Sequence, residues 1–439
     1  MSVDVPFASL PLKRLISSIA SGVSVNAADT PAEKGYRGVL KTSCVYSGTF
    51  DPSENKTVVL EDLERVACPV KAGTLVVSRM NTPDLVGAAG LVTCDEPDIF
   101  LPDRLWQVSF DRLVANPRFV YWWTRSALYR DQVKVACAGT SSSMQNLDQG
   151  SFRSFSVPRM NLSEQERIAN FLDDKTARID ALISEKEQLV RSLEEYQYSY
   201  SSRLMTRGLD ERVKTATNSF PEVGNVPAHW TVTPLKFLGE VRSGVAKGKD
   251  LGDKDTVTLP YLRVANVQDG YVDLSTVLDI EVSSSEATRY LLRKGDVLMN
   301  EGGDNDKLGR GAVWQGQIEP CIHQNHVFAV RLADPELADW VSRFTSTHAA
   351  RTYFFLRSKQ STNLASINQS NVRELPIPMP PDAERRAVMA ELQRIAKSTT
   401  ALIEHAVEHI TRLREYRSSL ISAAVTGHFD ISTAKLEVA

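Results

Sequence analysis

The stretch LEEYQYSYSSRLMTRGLD, residues 193–210, reads as a long helix running out, and it returns as LREYRSSLISAAVTGHFD at 413–430. Leu193, Glu195, Tyr196, Ser199, Thr206 and Asp210 match Leu413, Glu415, Tyr416, Ser419, Thr426 and Asp430, each 220 residues further on. The echo continues upstream. MQNLDQGSFRSFSVP (144–158) aligns with LASINQSNVRELPIP (364–378) at the same spacing, setting Gln149 on Gln369, Arg153 on Arg373 and Pro158 on Pro378. Further back the spacing drifts by two or three residues. PLKRL (11–15) pairs with PLKFL (234–238), and KAGTLVVS (71–78) with RKGDVLMN (293–300). One unit is used twice, and so long a period indicates duplicated domains, because solenoid repeats are far shorter.

Each copy has two parts. The first mixes short β-like runs (GTLVVSR and LWQVSF; YLRVANV, GDVLMN and HVFAVRL) with Gly, Pro and Asn turns and one helical segment. That segment is PRFVYWWTRSALYRDQV in the first copy and PELADWVSRFTSTHAARTYFF in the second. The second part is a long helix. Ile168, Leu172, Ile179, Leu182, Leu189, Leu193, Tyr196 and Tyr200 alternate in steps of four and three, with Lys175 and Lys186 on the same ladder. The second ladder is Val388, Leu392, Ile395, Thr399, Leu402, Ala406, His409, Leu413, Tyr416 and Leu420. This is the pattern of a coiled-coil seam. Ser163 with Glu164 and Glu166, and Pro380-Pro381-Asp382 with Glu384, signal the helix starts; Gly208 and Gly427 signal the stops. Neither helix can bury its seam alone, and the pseudo-two-fold repeat favours antiparallel pairing. The expected architecture is α+β: two similar globules, 1–158 and 213–378, each followed by a helical segment, 159–212 and 379–439.

Bulk properties exclude several classes. Composition is that of an ordinary globular protein, 42% hydrophobic and 24% charged. No apolar run approaches a membrane span and the start lacks a signal-peptide core, so the chain reads as cytoplasmic, with no membrane partner. Five scattered cysteines without a C-x-x-C indicate neither a disulfide framework nor a zinc site. Net charge is −3, and the globules are balanced: 16 basic and 16 acidic residues in 1–158, 18 and 19 in 213–378. There is no G-x-x-x-x-G-K-[ST] loop and no N/D-P-P-Y/F methyltransferase tetrapeptide, so no catalytic residues are assigned. Asp173-Asp174-Lys175 spells part of a nuclease motif, but lies on the helix and reads as solvated surface. His405 and His409, four apart, lack a third ligand and read as packing. His323 and His326 are three apart in a strand-like run, hence on opposite faces. No metal site is assigned.

The order globule–helix–globule–helix resembles the specificity subunits of type I restriction-modification systems. So do FSVPRMNLSEQERIANFL, LPIPMPPDAERRAVMAEL and the helix end LISAAVTGHFD. The resemblance runs the length of the chain and includes GDVLMNEGG…LGRGAVW and IHQNHVFAVRL; the first globule follows it more loosely. It implies two target recognition domains on conserved helical spacers, each reading half of a split asymmetric sequence in double-stranded DNA, with the helices setting the unread gap. It implies no chemistry and no cofactor on this chain. Two modification subunits would carry S-adenosylmethionine and methylate adenine N6; restriction subunits would use ATP and magnesium to translocate and cut. The alternative is a coiled-coil scaffold whose globules bind protein.

Base reading needs side chains that dock in the major groove, Arg or Lys on guanine and Asn or Gln on adenine. Loops aimed by a rigid scaffold are natural carriers. In the first globule these are Arg79, Asn81 and Thr82 after TLVVS, then Ser142, Ser143, Gln145 and Asn146 in GTSSSMQN. In the second they are Asn300, Asn305, Lys307 and Arg310, then Gln324 and Asn325, then Lys359, Gln360, Thr362 and Asn363. The same residue types also make turns and caps. Arg104, Arg112, Arg118, Arg125, Arg130 and Lys134 are the first globule's candidates for phosphate, and a solvated surface explains them equally well.

Overall fold

The computed structural model describes residues 8–137, 143–248, 252, 255–303, 308–360 and 365–429. Its helices are α1 (Pro117–Thr124), α2 (Ala127–Ala136), α3 (Gln149–Ser154), α4 (Leu162–Arg207), α5 (Ser284–Tyr290), α6 (Ala338–Thr345), α7 (His348–Arg357), α8 (Gln369–Arg373) and α9 (Asp382–Thr426). The chain divides into two compact units, Met1–Glu187 with Val407–Ala439, and Gln188–Ala406. Each unit therefore holds one globule, the start of the helix that follows it, and the end of the other long helix.

The duplication is explicit in the sheets. In the first unit a four-stranded antiparallel sheet orders its strands Ile16–Ser21, Leu105–Phe110, Leu75–Ser78, Ala89–Leu91. The second unit repeats that order with Gly239–Ser243, Val327–Leu332, Val297–Asn300, Gly311–Val313. Both faces are buried. Leu75 and Val77 join one core and Val76 another; Val297 and Met299 join one and Leu298 another. A two-residue side-chain period makes this split inevitable, and it explains why these strands read as continuous apolar runs. The second sheets differ. The first unit adds five strands around a parallel Gly38–Leu40/Glu96–Phe100 pair, the second only three around Thr256–Leu262/Ile322–His323.

The single helical segment expected in each globule is two helices. Ser126 and Thr347 end one and cap the next, their hydroxyls accepting from the N–H of Tyr129 and Ala350. At the start of α4 the capping box is Asn161 with Glu164, each side chain accepting from the other's N–H at 2.9 Å, in place of the expected Ser163. Asp382 is the first residue of α9, and the N–H of Arg385 reaches the Pro381 carbonyl at 2.8 Å. Gly208 and Gly427 follow the two long helices with φ of 72° and 79°, where a side chain would be strained.

α4 and α9 pack antiparallel within each unit. In the first, Arg417 pairs with Asp180 at 2.9 Å and Arg414 with Glu187 at 2.8 Å; in the second, Thr399 donates to Gln197 at 2.6 Å. The buried stripe is not the heptad ladder throughout. Leu182, Leu189, Tyr196, Leu402 and Tyr416 are exposed, whereas Ile410, off the ladder, is buried. Steps of four outnumber steps of three, the 3.6-residue repeat of an unsupercoiled helix. The helix ends are the deepest parts. Ile168, Ala169 and Leu172 enter the first core together with Leu420, Ile421, Ala424 and Val425. Leu204 and Met205 enter the second with Val388 and Leu392.

The docking contacts also repeat. The N–H of Ala127, opening α2, reaches Ser422 Oγ on α9 at 3.1 Å; that of His348, opening α7, reaches Ser202 Oγ on α4 at the same distance. Asp173 is no solvated flank. Its carboxylate accepts from Trp122 Nε1 at 2.7 Å and pairs with Arg118, fastening α1 to α4. All five cysteines carry thiols, three of them buried.

Candidate nucleic-acid interface

In each globule the loop that leaves the second inner strand of the sheet is tied to the loop that precedes α3 or α8. In the first, Met80–Asn81 pairs antiparallel with Gln145–Asn146, setting Gln145 opposite Asn81. In the second, Gly302–Gly303 pairs with Ala365–Ser366, which also pairs with Lys359–Gln360. In the first globule candidates distant in sequence thus meet on one small ribbon; in the second the ribbon carries Lys359 and Gln360.

The candidates fall into groups. Asn81 is buried and committed: its amide donates to Tyr46 Oη at 2.8 Å and Ser78 Oγ at 3.3 Å, and its oxygen accepts from the Thr82 N–H. Asn300 is fully buried, donating to the carbonyls of Val267 at 2.9 Å and Val264 at 3.3 Å. These two asparagines hold the ribbon's root. Thr82, Ser143, Asn146, Lys359 and Gln360 are exposed, and Gln145, Gln324 and Asn325 are half-buried. Arg79 lies over the Trp106 ring, 6.0 Å from its centroid, with Nε shielded and unbonded. Arg310 is half-buried with its Nε likewise unbonded, and its carbonyl accepts from the Asn300 N–H. Ser142, Asn305, Lys307, Thr362 and Asn363 lie outside the described residues.

Two residues missed by the motif reading complete the second ribbon. Glu301 follows Asn300, and its carboxylate hydrogen-bonds to Nδ1 of His326; Asn325 Nδ2 lies 3.4 Å from His326 Nε2. By spacing alone His326 pairs only with His323, which is buried and bonded through Nδ1 to the Val327 carbonyl at 2.7 Å. The available signal was the repeat itself, since Glu301 stands where the first copy has Arg79. Among the described residues no cluster of three or more His, Cys, Asp or Glu side chains is placed to hold a metal, and no helix is long and apolar enough to cross a membrane.

No protein-family model matches the chain. The specificity subunit of the type I restriction enzyme EcoKI from Escherichia coli (strain K12) is 23% identical over 314 residues, 70% of this chain and 65% of that protein. The match thus spans just under two thirds of that relative's length. The putative type I restriction enzyme MjaX specificity subunit from Methanocaldococcus jannaschii is 25% identical over 170 residues, 38% of this chain and 39% of its own. In fold, a chain from a study of complex assembly and conformational transition of the type I R-M system superposes with a TM-score of 0.67 at 14% identity, covering 97% of this chain and all of the other. The HsdS subunit from Thermoanaerobacter tengcongensis gives 0.52 at 14% identity, covering 98% and 99%.

Proposed function

This chain belongs to the family of specificity subunits of type I restriction-modification systems, and we propose that it is the subunit that reads the DNA target. Residues 1–158 and 213–378 are the two readers, each taking one half of a split sequence in duplex DNA. The helical segments 159–212 and 379–439 set the unread gap. Catalysis belongs to partners: two modification subunits with S-adenosylmethionine, and restriction subunits with ATP and magnesium. The chain works in the cytoplasm.

One observation carries this reading. The same four-stranded sheet occurs twice with the same strand order, and each copy carries a short strand ribbon at the same place on its own scaffold, exposing Asn146 in the first and Lys359 and Gln360 in the second. A duplicated scaffold with diverged tips suits a protein that reads two different half-sites, because scaffold and specificity then vary independently. The balanced charge of the globules suits a subunit that shares its phosphate contacts with partners.

A domain exchange tests it. With 1–158 replaced by the equivalent region of a relative and the chain assembled with its modification subunits, methylation mapping should show one half of the target changed and the other retained. A change in both halves would mean a single composite site and would overturn the two-reader assignment.

A further inference from the structure

Both sheets end in the same backbone frame, yet they present opposite chemistry there. Leu105 lies opposite Ser78 and Val327 opposite Asn300, so Arg104 with Arg79, and His326 with Glu301, sit one residue beyond the last rung. The Arg79 N–H donates to the Arg104 carbonyl at 3.0 Å, and the Glu301 N–H donates to the His326 carbonyl at the same distance. The Arg79 carbonyl accepts from Leu147 and the Glu301 carbonyl from Ile367, both at 2.8 Å. These bonds pin the two positions identically in the two globules.

The side chains then diverge. Arg104 is exposed and makes no ion pair among the described residues, while Arg79 is braced on the Trp106 ring. In the second globule the same places hold the Glu301 carboxylate and the His326 imidazole, hydrogen-bonded to each other, with His326 55% exposed. A shared backbone frame with two cations in one copy and an acceptor in the other is not a conserved phosphate clamp, because a phosphate would repel Glu301.

We propose that positions 79 with 104 and 301 with 326 are the base-reading pair of each globule. In the first, the Arg104 guanidinium takes the O6 and N7 acceptors of a guanine; in the second, the Glu301 carboxylate accepts from the N4 amino group of a cytosine. His326 is a positioning residue that orients the Glu301 carboxylate through Nδ1, while the Arg79 side chain lies against the Trp106 ring. This assignment rests on the DNA-reading function proposed above.

The test uses Glu301→Gln and Arg104→Gln in the full chain, each assembled with its modification subunits. The wild-type complex first gives the target by methylation mapping. Methylation rates are then compared in competition between the target duplex and duplexes altered at one base pair at a time. Glu301→Gln should lose roughly 5- to 150-fold of discrimination at one C·G pair of the half-site read by the second globule, with every other position unchanged. Arg104→Gln should do the same at one G·C pair of the other half-site. A uniform loss at all positions, a loss spread across both half-sites, or unchanged discrimination would overturn the assignment and leave DNA reading standing. A wild-type complex that methylates no defined motif would instead defeat the proposed function. The variants lie in separate units, so if one fails to fold the other still decides.

Discussion

Asn81 and Asn300 show how far residue type falls short of residue role. Both are asparagines at the end of a strand, residues of the type expected to read adenine, yet both spend their amide N–H groups inside the protein. A buried amide left unbonded costs about 1–3 kcal/mol, so at a crowded sheet end the scaffold claims the side chain first. His323 is a third internal residue, with a measurable consequence. Burial drives its pKa down from 6.5 to about 4, against a weaker upward pull from its bond to the Val327 carbonyl. Between those pH values the unfolded chain binds a proton that the folded chain refuses. Stability contributed by neutral His323 is therefore complete above pH 6.5 and falls as pH drops toward 4, by about 3 kcal/mol in all. Urea unfolding of His323→Gln should show a shallower loss of stability across that window than the wild type; parallel pH profiles would refute the assignment.

The long helices carry their stability at their ends. In the first unit Leu420, Ile421 and Val425 of α9 complete a core begun by Ile168 and Leu172 of α4, and each such side chain contributes about 1.5–3 kcal/mol on burial. Between the ends the exposed ladder residues show that a heptad pattern drawn at 3.5 residues per turn leaves the buried face of an ordinary helix. Two substitutions separate the descriptions. Ile410→Ala, at a buried position off the ladder, should cost about 2–4 kcal/mol. Leu402→Ala, at a ladder position 54% exposed, should stay within about 0.5 kcal/mol. Chemical unfolding with matched denaturant series measures both; equal losses would restore the heptad seam.

The doubled helix end explains why the chain closes twice: the end of each long helix completes the core of a globule to which its start does not belong. α9 supplies Leu420, Ser422, Ala424 and Val425 to the first unit, and the corresponding residues of α4, Tyr200, Ser202, Leu204 and Met205, serve the second. A fragment of residues 1–212 holds one reader and one helix, but lacks the α9 end that its own core needs. Its α4 end is free to fill that role in a second copy, with Ser202 taking the place of Ser422 at the start of α2. The fragment should therefore be a homodimer with antiparallel α4 helices, and with modification subunits it should direct methylation to an inverted repeat of the first half-site. Analytical sedimentation checks the first outcome and methylation mapping the second. A folded monomer at micromolar concentration would show that Leu204 and Met205 cannot substitute for Ala424 and Val425.

Periodicity and repetition made much of this protein legible from its residues. The 220-residue echo, the apolar runs of the inner strands and the glycines after both helices follow from local chemistry, and the α+β duplicated fold follows from them. Other features depend on contacts between residues far apart in the chain. The break between α1 and α2 has only a single serine to announce it, and the turn of the buried stripe from His409 to Ile410 depends on what lies across from α9. The same holds for the ribbons. Gln145 meets Asn81, and Glu301 meets His326, because strands that pair across long loops bring them together. Local spacing encodes which face of a segment is apolar; which polar side chains are consumed inside and which are left at the surface is set by burial, and burial exists only once the chain has folded.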